Sequence, residues 1–163
     1  MYNRKKIVVE IILILIWMSI IFIFSSMPSE ESNEKSKATI KETIEILNQT
    51  SVSKQNEEQL IEKLNKPLRK CMHATEYLIL SILILNWLRN YEIKKWKAIV
   101  VSVITSFLYA CTDEFHQLFV AGRTSQFTDV LIDTFGAILG VTMINVAIRI
   151  IGKIRQPKST KKF

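Results

Sequence analysis

No CxxC pair and no Cys/His finger spacing occurs in this sequence, and its only two cysteines, Cys71 and Cys111, stand far apart. A thiolate zinc site is therefore not expected. An aromatic-interleaved basic face is missing as well. The net charge of +7 would suit a nucleic-acid binder, but the basic residues flank apolar runs and leave no such footprint, so nucleic acid is not an expected partner. The first apolar run lacks a small-x-small cleavage site, because Ser25-Ser26-Met27-Pro28 follows it. It reads as an uncleaved membrane helix and not as a signal peptide.

What is present is segregation. The mean hydropathy is near neutral, yet the charges fall in blocks between four apolar runs. Ile7 to Phe24 is broken only by Glu10 and follows Arg4, Lys5 and Lys6. Ala74–Leu88, Ala98–Thr112 and Val130–Ile151 are the others, and the middle two must extend into their polar flanks to cross a hydrocarbon layer of ~30 Å. Four transmembrane helices are expected at about 7–24, 71–88, 96–113 and 129–151. The fold class is an all-α polytopic membrane bundle, and the length favours one domain over 1–163.

Residues 29–68 form an insert between the first two runs. Ile40, Ile44 and Leu47 recur at helical spacing, as do Leu60, Ile61, Leu64 and Leu68, predicting two amphipathic helices. Asn56 and Gln59 resemble a capping box opening the second, and Pro67 is expected to end it.

Charge alternates from segment to segment. The N-terminus, the 89–97 loop (Arg89, Lys94, Lys95 and Lys97 against Glu92) and the tail (Lys153, Arg155, Lys158, Lys161 and Lys162, with no acid) are basic. Residues 29–70 balance to zero, and 113–129 set Asp113, Glu114 and Asp129 against Arg123. The positive-inside rule turns this into four spans of a plasma-membrane protein with both termini cytoplasmic and the region around Asn48 external. Glu10, one turn into the first helix, is read as structural, able to pair with a lysine.

With that topology the polar residues gather at the outer end. His73, Glu76 and Tyr77 share one helix face, continued by Leu80 and Ile84. Ser102, Thr105, Tyr109, Asp113, His116 and Gln117 form a stripe on the third span. Asp129 and Asp133 stack on the fourth, in line with Gly136 and Gly140, a GxxxG spacing that permits close helix approach. Ionisable residues at membrane depth are functional candidates by default, here Arg69, Lys70, His73, Glu76, Tyr77, Asp113, Glu114, His116, Gln117, Arg123, Asp129 and Asp133. Arg123 is expected to pair with Asp129, Asp133 or a carboxylate of the third span. His73-x-x-Glu76 with Asp113, Glu114 and His116 holds enough N and O donors for a metal, but the spacing matches no strong motif, and neither metal nor cofactor is expected. Cys71 and Cys111 both fall near the outer helix ends and are expected as free thiols.

Three stretches then resemble the VanZ-like family of bacterial membrane proteins: Phe24-Ser25-Ser26-Met27-Pro28; Arg69-Lys70-x-x-His73-x-x-Glu76-Tyr77; and Asp113-Glu114-x-His116-Gln117-x-Phe119-Val120-x-Gly122-Arg123, followed by Asp129-Val130, Gly136 and Gly140. The likeness covers the first helix and residues 69 to about 145. Ala121, Asp133 and Met27 depart from the common pattern, where proline, asparagine and glutamine are frequent. The resemblance implies a cell-envelope role, since the founding member is associated with teicoplanin resistance, but it supplies no reaction. The expected function is binding of an anionic or peptidyl amphiphile, such as a cell-wall precursor or a lipoglycopeptide, at the outer leaflet. The alternative is a membrane-embedded hydrolase or transferase on a lipid-linked substrate, with His73 and Glu76 as acid/base or metal ligands.

Overall fold

The structure, a computed structural model, describes residues 4–47 and 54–155. The tail lysines Lys158, Lys161 and Lys162 and the region around Asn48 lie outside the described residues. Five helices follow one another: α1 (Arg4–Ser25), α2 (Ser29–Leu47), α3 (Lys54–Leu88), α4 (Lys95–Gln117) and α5 (Phe127–Arg155). Four of them, α1, α3, α4 and α5, are long and apolar enough to cross a membrane. The fold is an all-helical membrane bundle, and the chain is a multi-pass membrane protein.

The insert is helical but divided differently from the expectation. Its second helix and the second span are one helix, α3, which runs through Pro67. Proline removes one backbone N–H and crowds the carbonyl four residues earlier, but tertiary contacts on either side hold the helix. Asn65 is 7% exposed and is tied to α2 by hydrogen bonds with Ser36 and Asn33, and Ile40 of α2 is buried. Asn56 lies inside α3 and not at its N-cap, because the helix already begins at Lys54. The apolar stripe is also narrower than expected: Leu60 and Leu64 are exposed. At 35 residues, α3 is roughly 52 Å long by helix rise, well beyond the hydrocarbon thickness. Its first half therefore projects from the bundle with α2 alongside.

The core is the α3–α5 pair with α4 packed on both. Gly136 and Gly140 make the close approach possible: a Cβ at either position would collide with the backbone carbonyl of Ala74 or Leu78. Ser81 Oγ seals the contact, within hydrogen-bond distance of Leu78 O at 2.8 Å and Ala137 O at 2.9 Å. Tyr77, Leu80, Ile84 and Leu85 line the inner face of α3. On α4 the inward residues are Ser102, Ser106, Ala110, Asp113, Glu114 and Gln117. Thr105, expected on this stripe, faces outward. Ser102 and Ser106 return their hydroxyls to their own helix, at 2.8 and 2.9 Å, so they bring no unsatisfied donor into the core.

Helix α1 is peripheral, with only Ile21 and Ser25 buried. Trp17 Nε1 donates to Glu76 O at 2.9 Å, and Tyr109 Oη donates to Met18 O at 2.7 Å. The apolar side chains it exposes, Val8, Ile12, Leu15 and Ile16 among them, face where lipid covers a spanning helix. At the end of the bundle carrying the 89–94 loop, Glu10 meets Lys6 at 3.7 Å and accepts from Asn90. It is a strut between α1 and that loop.

Candidate functional site

The site lies at the opposite end, where the insert joins the bundle. Three local features assemble it. The α4–α5 turn reverses at Gly122, the positive-φ residue (φ 71°) among those described, and Ser29 N–H donates to Ala121 O at 3.1 Å, fastening the start of α2 over the turn. The continuity of α3 through Pro67 brings Lys66, Arg69, Lys70, His73, Glu76 and Tyr77 down one side. Close packing at Gly136 presses Asp129 and Asp133 of α5 toward that side.

Two cavities result. The first, about 190 Å³, is lined by Lys66, Arg69, Lys70 and His73 of α3, Glu114 and Gln117 of α4, Arg123 of the turn, and Asp129 and Asp133 of α5. The second, about 120 Å³, lies between α1, α2 and α3 and is bounded by Phe24, Met27, Met72, His73 and Glu76. Arg69, His73 and Arg123 belong to both walls.

Within this frame the candidate residues have distinct partners. Lys70 Nζ meets Asp129 Oδ1 at 2.6 Å. His73 Nδ1 lies 3.3 Å from Glu76 Oε2, within ion-pair distance though not aligned as a hydrogen bond. Glu114 Oε2 accepts the Gln126 backbone N–H at 2.9 Å. Gln117 Nε2 donates to Ser25 Oγ at 2.8 Å and to Asp113 Oδ2 at 3.2 Å, tying α4 to the end of α1. Asp133, 2% exposed, reaches the first cavity, and its Oδ1 has no hydrogen-bond partner among the described residues. Asp113 Oδ1 and Tyr77 Oη share that condition. Tyr77 and Asp113 are buried behind the cavity wall, Tyr77 with its ring 6.2 Å from that of Tyr109.

Two candidates stand elsewhere than expected. His116 is outside both cavities: its Nε2 lies 3.0 Å from Ser26 Oγ and its ring stacks on Phe22 at 4.4 Å. It locks α4 to α1. Arg123 forms no ion pair among the described residues, which overturns its expected pairing with a carboxylate. Its Nε, NH1 and NH2 instead donate to Met27 O (3.2 Å), Gln117 Oε1 (3.5 Å) and Phe24 O (3.4 Å). The end of α1 and the residues just after it place the carbonyls of Phe24 and Met27 beside Arg123, where its guanidinium fork bridges them. Burial, and after it the nearby charge of Arg69, push the Arg123 guanidinium below its usual pKa.

Sequence reasoning missed Lys66, because a helix ending at Pro67 leaves it in a separate element. Read through the proline, Lys66, Arg69, Lys70 and His73 fall at i, i+3, i+4 and i+7 on one face. Cys71 and Cys111 are free thiols. Among the described residues no group of three or more His, Cys, Asp or Glu side chains is placed to hold a metal ion.

A family model described as VanZ/LLP1 matches residues 10–149, and the chain belongs to this VanZ-like family. No curated protein and no solved structure matches.

Proposed function

We propose that this VanZ-like protein holds the anionic head of an amphiphile in the first cavity, at the outer leaflet of the bacterial plasma membrane. The observation that carries this reading is that Lys66, Arg69 and Arg123 line one space and none is in an ion pair among the described residues. Arg123 is oriented by neutral carbonyls, which fix its direction but leave its charge uncompensated. Guanidinium forks in that condition match phosphate or carboxylate geometry. A space of about 190 Å³ is below the usual range of ~300–1,000 Å³ for whole ligands. It suits a head group, with the apolar remainder of the ligand outside in lipid.

The alternation of basic and neutral segments supports placing this end outside and both termini in the cytoplasm. A site there could mask or modify a cell-wall precursor or exclude a lipoglycopeptide, which connects to the teicoplanin resistance associated with the family's founding member. The test is teicoplanin susceptibility of cells expressing wild type or Arg69→Gln/Arg123→Gln at equal membrane levels. Protection lost in the double variant supports the reading; protection retained overturns it.

A second reading is favoured by the His73–Glu76 contact at 3.3 Å, which would make His73 a general base toward a lipid-linked substrate. His73→Ala would then abolish protection while leaving binding of the anionic head intact.

A further inference from the structure

Cations make up only part of the lining of the first cavity. Asp133 stands six residues into α5, roughly 9 Å along the helix axis, and lines the same space 2% exposed with Oδ1 unpartnered. Glu114, 6% exposed, joins it in the lining. Among the described residues no cation is in an ion pair with Asp133. Lys70 is taken by Asp129, His73 faces Glu76, and Arg123 is directed to three carbonyl oxygens. The lining thus carries both signs: Lys66, Arg69 and Arg123, which are in no ion pair among the described residues, and the buried carboxylate of Asp133 on α5. A purely anionic head would satisfy the first and leave the second desolvated and bare, which is strongly unfavourable.

We propose that the ligand head is zwitterionic, carrying a primary ammonium beside its phosphate or carboxylate. The anion lodges against Lys66, Arg69 and Arg123, and the ammonium lodges against Asp133 and Glu114. This rests on the anion-binding reading above and narrows its ligand class. A primary ammonium is selected over a trimethylammonium because Asp133 Oδ1 needs a hydrogen-bond donor. An –NH₃⁺ group offers three, and a methylated one offers none.

The test uses the full chain purified in detergent, titrated with dihexanoyl phosphatidylethanolamine, phosphatidylglycerol and phosphatidylcholine. Soluble phosphoethanolamine and glycerol phosphate are run in parallel. The ethanolamine lipid is expected to bind at least about tenfold tighter than the other two, the scale of one charge-assisted hydrogen bond, and Asp133→Asn should erase the preference. The same preference in the soluble pair supports recognition of the head alone; preference confined to the lipids supports a bilayer-derived ligand. Equal, saturable binding of all three lipids overturns the zwitterion while leaving the anion site standing. No binding by any of them overturns both. Preference retained in Asp133→Asn overturns the proposal too, since Asp133 would then simply carry a proton. Should that variant not fold, the comparison of the three lipids on wild type decides alone, and Glu114→Gln gives the second variant.

Discussion

Lys70 Nζ and Asp129 Oδ1, 2.6 Å apart, join α3 to α5 in the lining of the first cavity, and each side chain keeps 32% of its surface exposed. The pair sets part of the local charge balance: it compensates Asp129, while Asp133 and the cations Lys66, Arg69 and Arg123 of the same lining are in no ion pair among the described residues. Partial exposure limits its stabilising effect. Lys70→Gln and Asp129→Asn are each expected to lower thermal stability modestly, with a coupling of about 1 kcal/mol or less in a double-mutant cycle. The coupling should shrink at high salt. Thermal unfolding of the four proteins in detergent measures it, and strict additivity would show that the contact contributes nothing.

The glycines of α5 make opposite predictions along one helix. A Cβ at Gly136 or Gly140 would strike backbone carbonyls of α3, which cannot swing aside as a side-chain tip could. Gly136→Ala and Gly140→Ala should each destabilise by about 1–3 kcal/mol, the usual cost of overpacking. Gly152 has nothing within 4 Å of such a Cβ. Gly152→Ala is expected to stabilise slightly, by at most about 1 kcal/mol from helix propensity. Melting temperatures of the three variants check the contrast of sign.

Pro67→Ala tests the continuity of α3. Because the helix runs through this position, alanine restores a backbone donor and removes a ring clash. The variant should be as stable as wild type or more so, by up to about 3 kcal/mol. A marked loss of stability would mean that the proline fixes a shape the site requires. The same residue shows where the sequence stops being legible. Span number, the Gly136/Gly140 contact and the shared face of His73 and Tyr77 follow from spacing alone. Pro67 carries a strong local stop signal, overruled by contacts from Asn65 to Ser36 and Asn33 that lie about thirty residues away in the chain and leave no local trace. Arg123 illustrates the other limit. Its charge invites a carboxylate partner, but the carbonyls of Phe24 and Met27 that it meets lie 99 and 96 residues away in the chain, a contact that local spacing does not reach.

The proposed orientation is tested by reporter fusions. Fusions within 89–97 and after Phe163 are expected to report cytoplasmic, and one near Asn48 external, from the alternation of basic and neutral segments. An external signal from the 89–97 loop would invert the bundle and place the candidate site in the cytoplasm.

Arg123→Lys separates charge from geometry. The guanidinium spreads its donors over Met27 O, Phe24 O and Gln117 Oε1, and so braces the end of α1 against α4 and the turn while aiming its charge at the cavity. An ammonium carries the same charge on a single nitrogen and cannot span three acceptors held by two elements. Once drawn to one carbonyl, it no longer directs a fork at the ligand. The variant should therefore lose about tenfold or more in affinity for the anionic head, on the scale of one charge-assisted hydrogen bond. Melting temperature should fall only slightly, since the three contacts are long and partly exposed. Arg123→Gln should lose both geometry and charge and bind more weakly still. Titration of the three proteins with dihexanoyl phosphatidylethanolamine orders them, and lysine matching wild type would show that position 123 supplies positive charge alone.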